Sequence, residues 1–228
     1  FYSLWDKVYR TDVLLHAWRR CRRNGGAAGV DGQRFQDIES KGVERWLGDL
    51  GQELRERRYR AQPLLRMWIP KRSGGQRPLG IPTIRDRVVQ AALLLVLEPI
   101  FEPDLLPEQY GFRRGRDAKQ ALRAVHHQLS GQGRTEVVDA DLADYFNTIP
   151  HGPLMRCLDR RVCDGKVLAL VKSWLQAGVV EREDGRECRT NDARRQRRGT
   201  PQGGVISPFL ANLYFRRFLL GWHRHPLA

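Results

Sequence analysis

A chain of 228 residues with 41% hydrophobic content is long enough for one or two domains around a sizeable core. Its 40 Lys and Arg against 26 Asp and Glu leave a net charge of +14, mostly arginine, which points to a polyanionic partner. The longest apolar run, residues 91–97, is too short to span a bilayer, and no secretory leader is visible. The four cysteines lack C-x-x-C spacing and a nearby His pair, so they read as reduced thiols of a cytosolic protein and not as zinc ligands. Phe at position 1, where a start would be Met, suggests a trimmed N-terminus.

In chain order, residues 1–23 carry Leu4, Val8, Leu14, Leu15 and Trp18 at helical spacing. Asn24-Gly25-Gly26 breaks that helix, and Gly29-Val30-Asp31-Gly32 reads as a tight turn. Residues 42–58 predict a helix with Trp46, Leu47, Leu50 and Leu54 on one face. Residues 64–70 predict a strand, 71–77 a hairpin tip and 78–82 the return strand. A buried helix over 85–98, ended by Pro99, comes next. Asp117, with Gln120 three residues on, resembles a capping box that starts a helix through Leu129. Residues 135–142 predict a strand, and 150–161 and 167–177 predict helices. A hairpin turning at Asp184-Gly185, a basic stretch over 189–198, a Gly/Pro loop over 199–208 and a helix over 209–220 complete the chain. The mixture is α+β with segregated elements, without repeats.

Three stretches could carry chemistry. Asp139 and Asp141 share one face of the 135–142 strand by the two-residue period, and carboxylates at a strand end can reach a hard cation. An Asp that merely caps a turn or helix is an equal reading, and Tyr145-Phe146 reads as core more readily than as a substrate gate. In the 198–208 loop, glycines allow close backbone approach and Gln202 offers a donor and an acceptor, although a plain connection has the same composition. Lys71, Arg72 and Arg77 flank a Ser73-Gly74-Gly75 tip that could fold over a triphosphate. Further arginines at 113, 114 and 116, and at 194, 195, 197 and 198, suit tracking of a nucleic-acid backbone, or are simply solvated patches.

The order of these segments resembles the reverse transcriptases encoded by bacterial group II introns. The resemblance runs through Asn24 to Gly32, Ile69 to Lys71, Arg77 to Pro82, Asp86 to Gln90, Tyr110 to Arg113, Asp139 to His151 and Gly199 to Tyr214. It implies a right-hand polymerase fold with fingers plus an incomplete palm and no thumb. Residues 1–130 would hold the N-terminal extension and most of the fingers, and 131–228 a partial palm with interleaved finger elements. By the same resemblance Asp141 is the catalytic, metal-binding carboxylate and the Leu142 carbonyl a second metal contact. Lys71, Arg77, Phe146, Gln202 and Gly203 bind the nucleotide. By their charge, Arg113, Arg116, Arg195, Arg197 and Arg198 are the candidates for binding nucleic acid. Mg²⁺, or Mn²⁺, would be the cofactor. The partners would be an RNA template (intron RNA), a DNA primer and deoxynucleotides, with no membrane, in a bacterial cytoplasm.

Asn147 stands where such sequences usually have Asp, at a position that is not a metal ligand. The aromatic-Ala-Asp-Asp turn expected after Tyr214 is not among the 228 residues, so the chain by itself is expected to be inactive. An RNA-binding splicing cofactor (maturase) and a domesticated CRISPR- or defence-linked reverse transcriptase are the alternative functions.

Overall fold

The computed structural model describes residues 1–70, 74–183 and 186–224. The N-terminal apolar stripe is divided between two helices. Helix α1 (Trp5–Val8) stops at Tyr9, Arg10 is extended, and α2 (Thr11–Asn24) starts anew. The break lets Leu4 and Val8 join the same core as Leu14, Ala17, Trp18 and Cys21. Gly25 ends α2 with φ 64°, its N–H bonding the carbonyls of Cys21 and Arg22. The turn at 29–32 closes through Gly32 N–H to the Gly29 carbonyl at 3.1 Å. A helix that periodicity did not reveal follows, α3 (Phe35–Lys41), with only Phe35 and Ile38 to anchor it. Two apolar positions are too few to show a period. Helix α4 (Val43–Arg55) buries Leu47, Leu50 and Leu54 and sets Trp46 against Trp18, ring centres 5.5 Å apart.

The predicted hairpin is β1 (Leu64–Pro70) and β2 (Gln76–Ile81), antiparallel from Leu65↔Ile81 to Pro70↔Gln76. A second antiparallel hairpin, β3 (Val179–Glu183) and β4 (Arg186–Thr190), joins it when Leu64 and Leu65 pair in parallel with Val179 and Val180. The sheet order is β2-β1-β3-β4. Asp184 and Gly185 themselves lie outside the described residues.

Between the hairpins in sequence, α5 (Ile84–Phe101) is buried almost all round and forms the centre of the core. Thr83 caps it by accepting the Asp86 N–H. Pro99 does not end this helix, contrary to expectation. It lies in the last turn, where a lost ladder bond costs least, and the helix continues to Phe101. Asp86 is buried and accepts from the hydroxyls of Tyr59 and Thr83 and from Gln62 N–H. Burial pushes its carboxyl pKa up, against those hydrogen bonds. The Arg87 guanidinium donates to the carbonyls of Pro82, Gly25 and Ala27, which fastens the 25–29 loop to the start of α5. A Cβ at Gly29 would stand 2.6 Å from Thr83 N, so only glycine permits this approach.

Helix α6 (Ala118–His126) starts at the predicted Asp117 cap, which accepts the Gln120 N–H at 2.7 Å, but the Gln120 side chain turns to the Gly115 carbonyl and does not close the box; the helix loosens into a π turn over His127–Gly131. The predicted strand over 135–142 does not form. Residues 135–142 are irregular and exposed, Val137 and Val138 at 68% and 74%. Among the described residues no backbone hydrogen bond reaches 135–143. A strand exists only with a pairing partner, and β2-β1-β3-β4 does not extend to this segment. The rest is helical: α7 (Tyr145–Thr148), α8 (His151–Asp159), α9 (Gly165–Leu175), α10 (Asp192–Gln196) and α11 (Ser207–Arg224). Helix α11 closes the core with Phe209 edge-on to Phe101, 5.7 Å between centres. Among the described residues no helix is long and apolar enough to cross a membrane.

Candidate active site

The loop over 199–204 connects residues that are far apart in sequence. On one side its Gln202 carbonyl accepts the Gly80 N–H of β2 at 2.7 Å. Gly203 then passes so close to Gly80 that an added Cβ would come well inside 3.0 Å of the Gly80 oxygen, and its φ of +105° also suits glycine alone. On the other side Thr200 N–H donates to the Phe146 carbonyl at 2.7 Å, and Gly199 N–H to the Ile149 carbonyl at 2.8 Å. Three predicted nucleotide-binding segments are therefore one hydrogen-bonded unit: the strand that bears Arg77, the Phe146 turn and the Gln202-Gly203 loop. Arg77 is exposed and pairs with Ile69, three residues before the Gly80 contact, roughly 10 Å along the strand. Lys71 lies outside the described residues. An open cleft of about 270 Å³ borders this unit, lined in part by Arg66, Pro78, Gly80, Asn147, Arg198 and Gln202.

Phe146 is half-buried. Its ring meets Phe112 edge-on, 6.3 Å between centres, and Tyr145 at 6.1 Å. Tyr145 in turn donates its hydroxyl to the Ala211 carbonyl of α11 at 2.9 Å, and its burial pushes the phenol pKa well up. The neighbouring pair thus divides its work, Tyr145 anchoring the turn and Phe146 presenting part of its ring.

The carboxylates are less well placed. Asp139 and Asp141 are exposed on the irregular segment, so the shared strand face expected of them is absent. Asp144 adopts φ 50° at the start of α7 and accepts from the Asn147 side chain at 2.7 Å. Among the described residues no three His, Cys, Asp or Glu side chains come together as a metal site. The donor set around Asp141 and the Leu142 carbonyl therefore does not fit a complete divalent-metal shell. The Leu142 side chain borders a wider apolar cleft of about 510 Å³ with Tyr145, Tyr214, Phe215 and Phe218.

The arginines divide into two groups. The Arg113 side chain is only 6% exposed and is bonded to Glu102 and to the carbonyls of Leu106 and Gln109. The structure thus sets it to bracing its own loop, where little of the guanidinium is left for phosphate. Arg116 is exposed, over the Tyr110 ring at 5.6 Å. Arg195, Arg197 and Arg198 are exposed on and after α10, beside the 199–204 loop, and Arg198 Nε reaches the Gln196 side chain at 2.9 Å.

Residue spacing alone missed the part played by His151. Its backbone N–H donates to the Arg197 carbonyl at 2.9 Å, and its Nε2 lies 2.8 Å from the Gly199 carbonyl. Burial pushes the imidazole pKa down, opposed by the carbonyls of Gly199 and Arg198. The local signal was a His entering a helix just after Pro150, and nothing in it points to a partner 48 residues away.

Residues 69–226 match the family described as reverse transcriptase (RNA-dependent DNA polymerase). Protein YkfC of Escherichia coli K12 is 39% identical over 227 residues, which cover 97% of this chain and 57% of that protein. The group II intron-encoded protein LtrA of Lactococcus lactis subsp. cremoris is 31% identical over 217 residues, 94% of this chain and 34% of that protein. The chain thus spans a third to a little over half the length of these relatives. Among solved structures, a chain of a partial Cas6-RT-Cas1–Cas2 complex shares the fold with a TM-score of 0.59 at 22% identity, covering 98% of this chain and 35% of that one.

Proposed function

The chain belongs to the reverse transcriptase family, and from that premise we propose that its protein is an RNA-directed DNA polymerase of a group II intron-type retroelement. It would add deoxynucleotides to a DNA primer on an RNA template, in a bacterial cytoplasm. The observation that carries this reading is the 199–204 loop, bonded at once to Gly80 and to Phe146. Such a unit can hold an incoming nucleotide from three sides. Arg77, with Lys71, would pair with the triphosphate, Gln202 and Gly203 would face the nascent base pair, and Phe146 would crowd the sugar. Asp141 and the Leu142 carbonyl would belong to the divalent metal that goes with this family, for which Mg²⁺ is our choice. Residues 1–130 would be mostly fingers and 131–228 a partial palm with finger elements interleaved, among them β3, which pairs with β1, and β4, which pairs with β3.

Sugar choice tests this reading. In a form of the protein that extends a primer, Phe146→Ala should admit ribonucleotides, lowering the deoxy-over-ribo preference roughly 10–200-fold, the range for one steric contact. Competing incorporation of matched deoxy- and ribonucleotides measures it, and an unchanged ratio would make Phe146 a core residue.

A maturase role, in which the protein binds intron RNA to aid splicing, rests on the exposed arginines of the α10 region and the intron-encoded relative. A CRISPR-linked role has only the shared fold behind it, and the neighbouring genes would decide it. All three readings require RNA binding through phosphate contacts. Each contact should contribute about 0.7–0.9 to the slope of log affinity against log salt. Reversing Arg195 and Arg197 to Glu should weaken all RNA sequences alike and flatten that slope by about 2 units at most. Filter binding across a salt series checks this, and a flat wild-type affinity would count against the interface.

A further inference from the structure

The 197–199 stretch has an unusual backbone. Arg197 sits at φ 52°, a region that non-glycine residues rarely take, and Gly199 at φ 95°. Such a path persists only where its surroundings over-determine it. His151 does so from two atoms. Its main-chain N–H holds the Arg197 carbonyl, and its ring holds the Gly199 carbonyl. The N–H of that same Gly199 goes to Ile149, so both polar groups of the glycine are held by the segment that follows Phe146.

The ring's protonation follows from its partner. A carbonyl only accepts, so Nε2 carries the proton and Nδ1 is bare. Nδ1 is also buried, with no hydrogen-bond partner among the described residues, in a residue only 6% exposed.

Resting on the polymerase reading above, we propose that His151 is a positioning residue for nucleotide selection: it fixes the spacing between Phe146 and the Gln202-Gly203 loop. Phe146 lies before Ile149 and Gln202 after Gly199, so a slack clamp lets the two walls of the nucleotide site drift apart. Without the ring the loop would be tied to the Phe146 turn only through the Thr200 and Gly199 N–H groups, and with the Gln202–Gly80 bond intact it would follow β2 more freely.

The test uses the protein expressed from its complete reading frame, bound to an RNA template and a chain-terminated DNA primer, so that nucleotide binding is read without chemistry. His151→Ala should weaken binding of the matched deoxynucleotide and lower the deoxy-over-ribo preference about tenfold, with affinity for the template–primer unchanged. His151→Gln, whose amide N–H can reach the Gly199 carbonyl, should restore most of both. Equal behaviour of the Ala and Gln variants, or an unchanged preference in the Ala variant, overturns the proposal. Should the Ala variant not fold, the wild-type and Gln proteins decide it. Nitrogen chemical shifts should show the Nε2–H ring in the wild type, and slow hydrogen exchange should mark the Gly199 and Thr200 amides in both proteins. An Nδ1–H ring or fast exchange at those amides overturns the clamp, whatever the protein's activity. A wild type that binds template–primer but no nucleotide overturns the polymerase reading and the selection role together, while a clamp seen by ring and amide signals still stands.

Discussion

Asp141→Asn should cut RNA-templated primer extension by about 10³-fold or more, roughly 4 kcal/mol of barrier, in any form of this protein that extends a primer. A polypeptide of residues 1–228 alone should bind RNA and extend nothing. Phosphoryl transfer offers a protein little covalent chemistry, so catalysis is positioning plus electrostatic stabilisation. Asp141 is exposed on an irregular segment, with Asp139 beside it in sequence and Asp144 turned to Asn147. Among the described residues no third acidic or imidazole group joins them, and no Ala-Asp-Asp turn occurs in the 228 residues. One loosely held carboxylate positions neither a primer end nor a triphosphate. In an extending form, the same carboxylate would be held by added structure, and its loss should then be felt in full. Gel-based extension of a labelled primer measures both arms. Robust extension by the 228-residue chain, or near-normal extension by Asp141→Asn, would show that the site has been placed wrongly.

Gly203→Ala is expected to destabilise the fold by about 2–4 kcal/mol, or to release the 199–204 loop from β2 with a comparable loss of nucleotide affinity. Two effects combine there. A positive φ of 105° strains any side chain, and the new methyl would collide with the Gly80 carbonyl, which is backbone and cannot rotate away, while also meeting Leu79 at 3.0 Å. Gly115 provides the control, because its φ is +73° but nothing lies within 4 Å of an added Cβ. Gly115→Ala should therefore cost only the conformational part, about 1–2 kcal/mol. Urea unfolding of the two variants separates the contributions. Equal destabilisation would mean that the approach of Gly203 to Gly80 has no energetic weight.

Several elements were legible in the sequence because their causes are local. The β1–β2 hairpin follows from apolar strand residues on either side of a Ser-Gly-Gly tip, and β1 occupies the predicted 64–70. Asp117 announces α6 through a cap three residues long, and Gly25 ends α2 through its own φ. The ordered motifs also identified the family, since each segment carries its residues at short, fixed spacing. What could not be read locally was which segments meet. The parallel pairing of β1 with β3 links residues more than a hundred positions apart, brought together by a core that takes in both α5 and α9. The 135–142 segment shows the converse. Val137 and Val138 have strand propensity, but pairing groups must come from elsewhere in the fold, and the described sheet offers none, so Asp141 has no strand to sit on. Arg113 counted as a free cation until its loop folded it onto Glu102 and two carbonyls. His151 counted as a helix-start residue until the 197–199 turn reached its ring. The sequence by itself determined the family, through the resemblance that its ordered motifs carry. The tertiary structure alone decided which donors face which acceptors, because a hydrogen bond depends on tenths of an ångström between atoms whose distance along the chain carries no information about their distance in space.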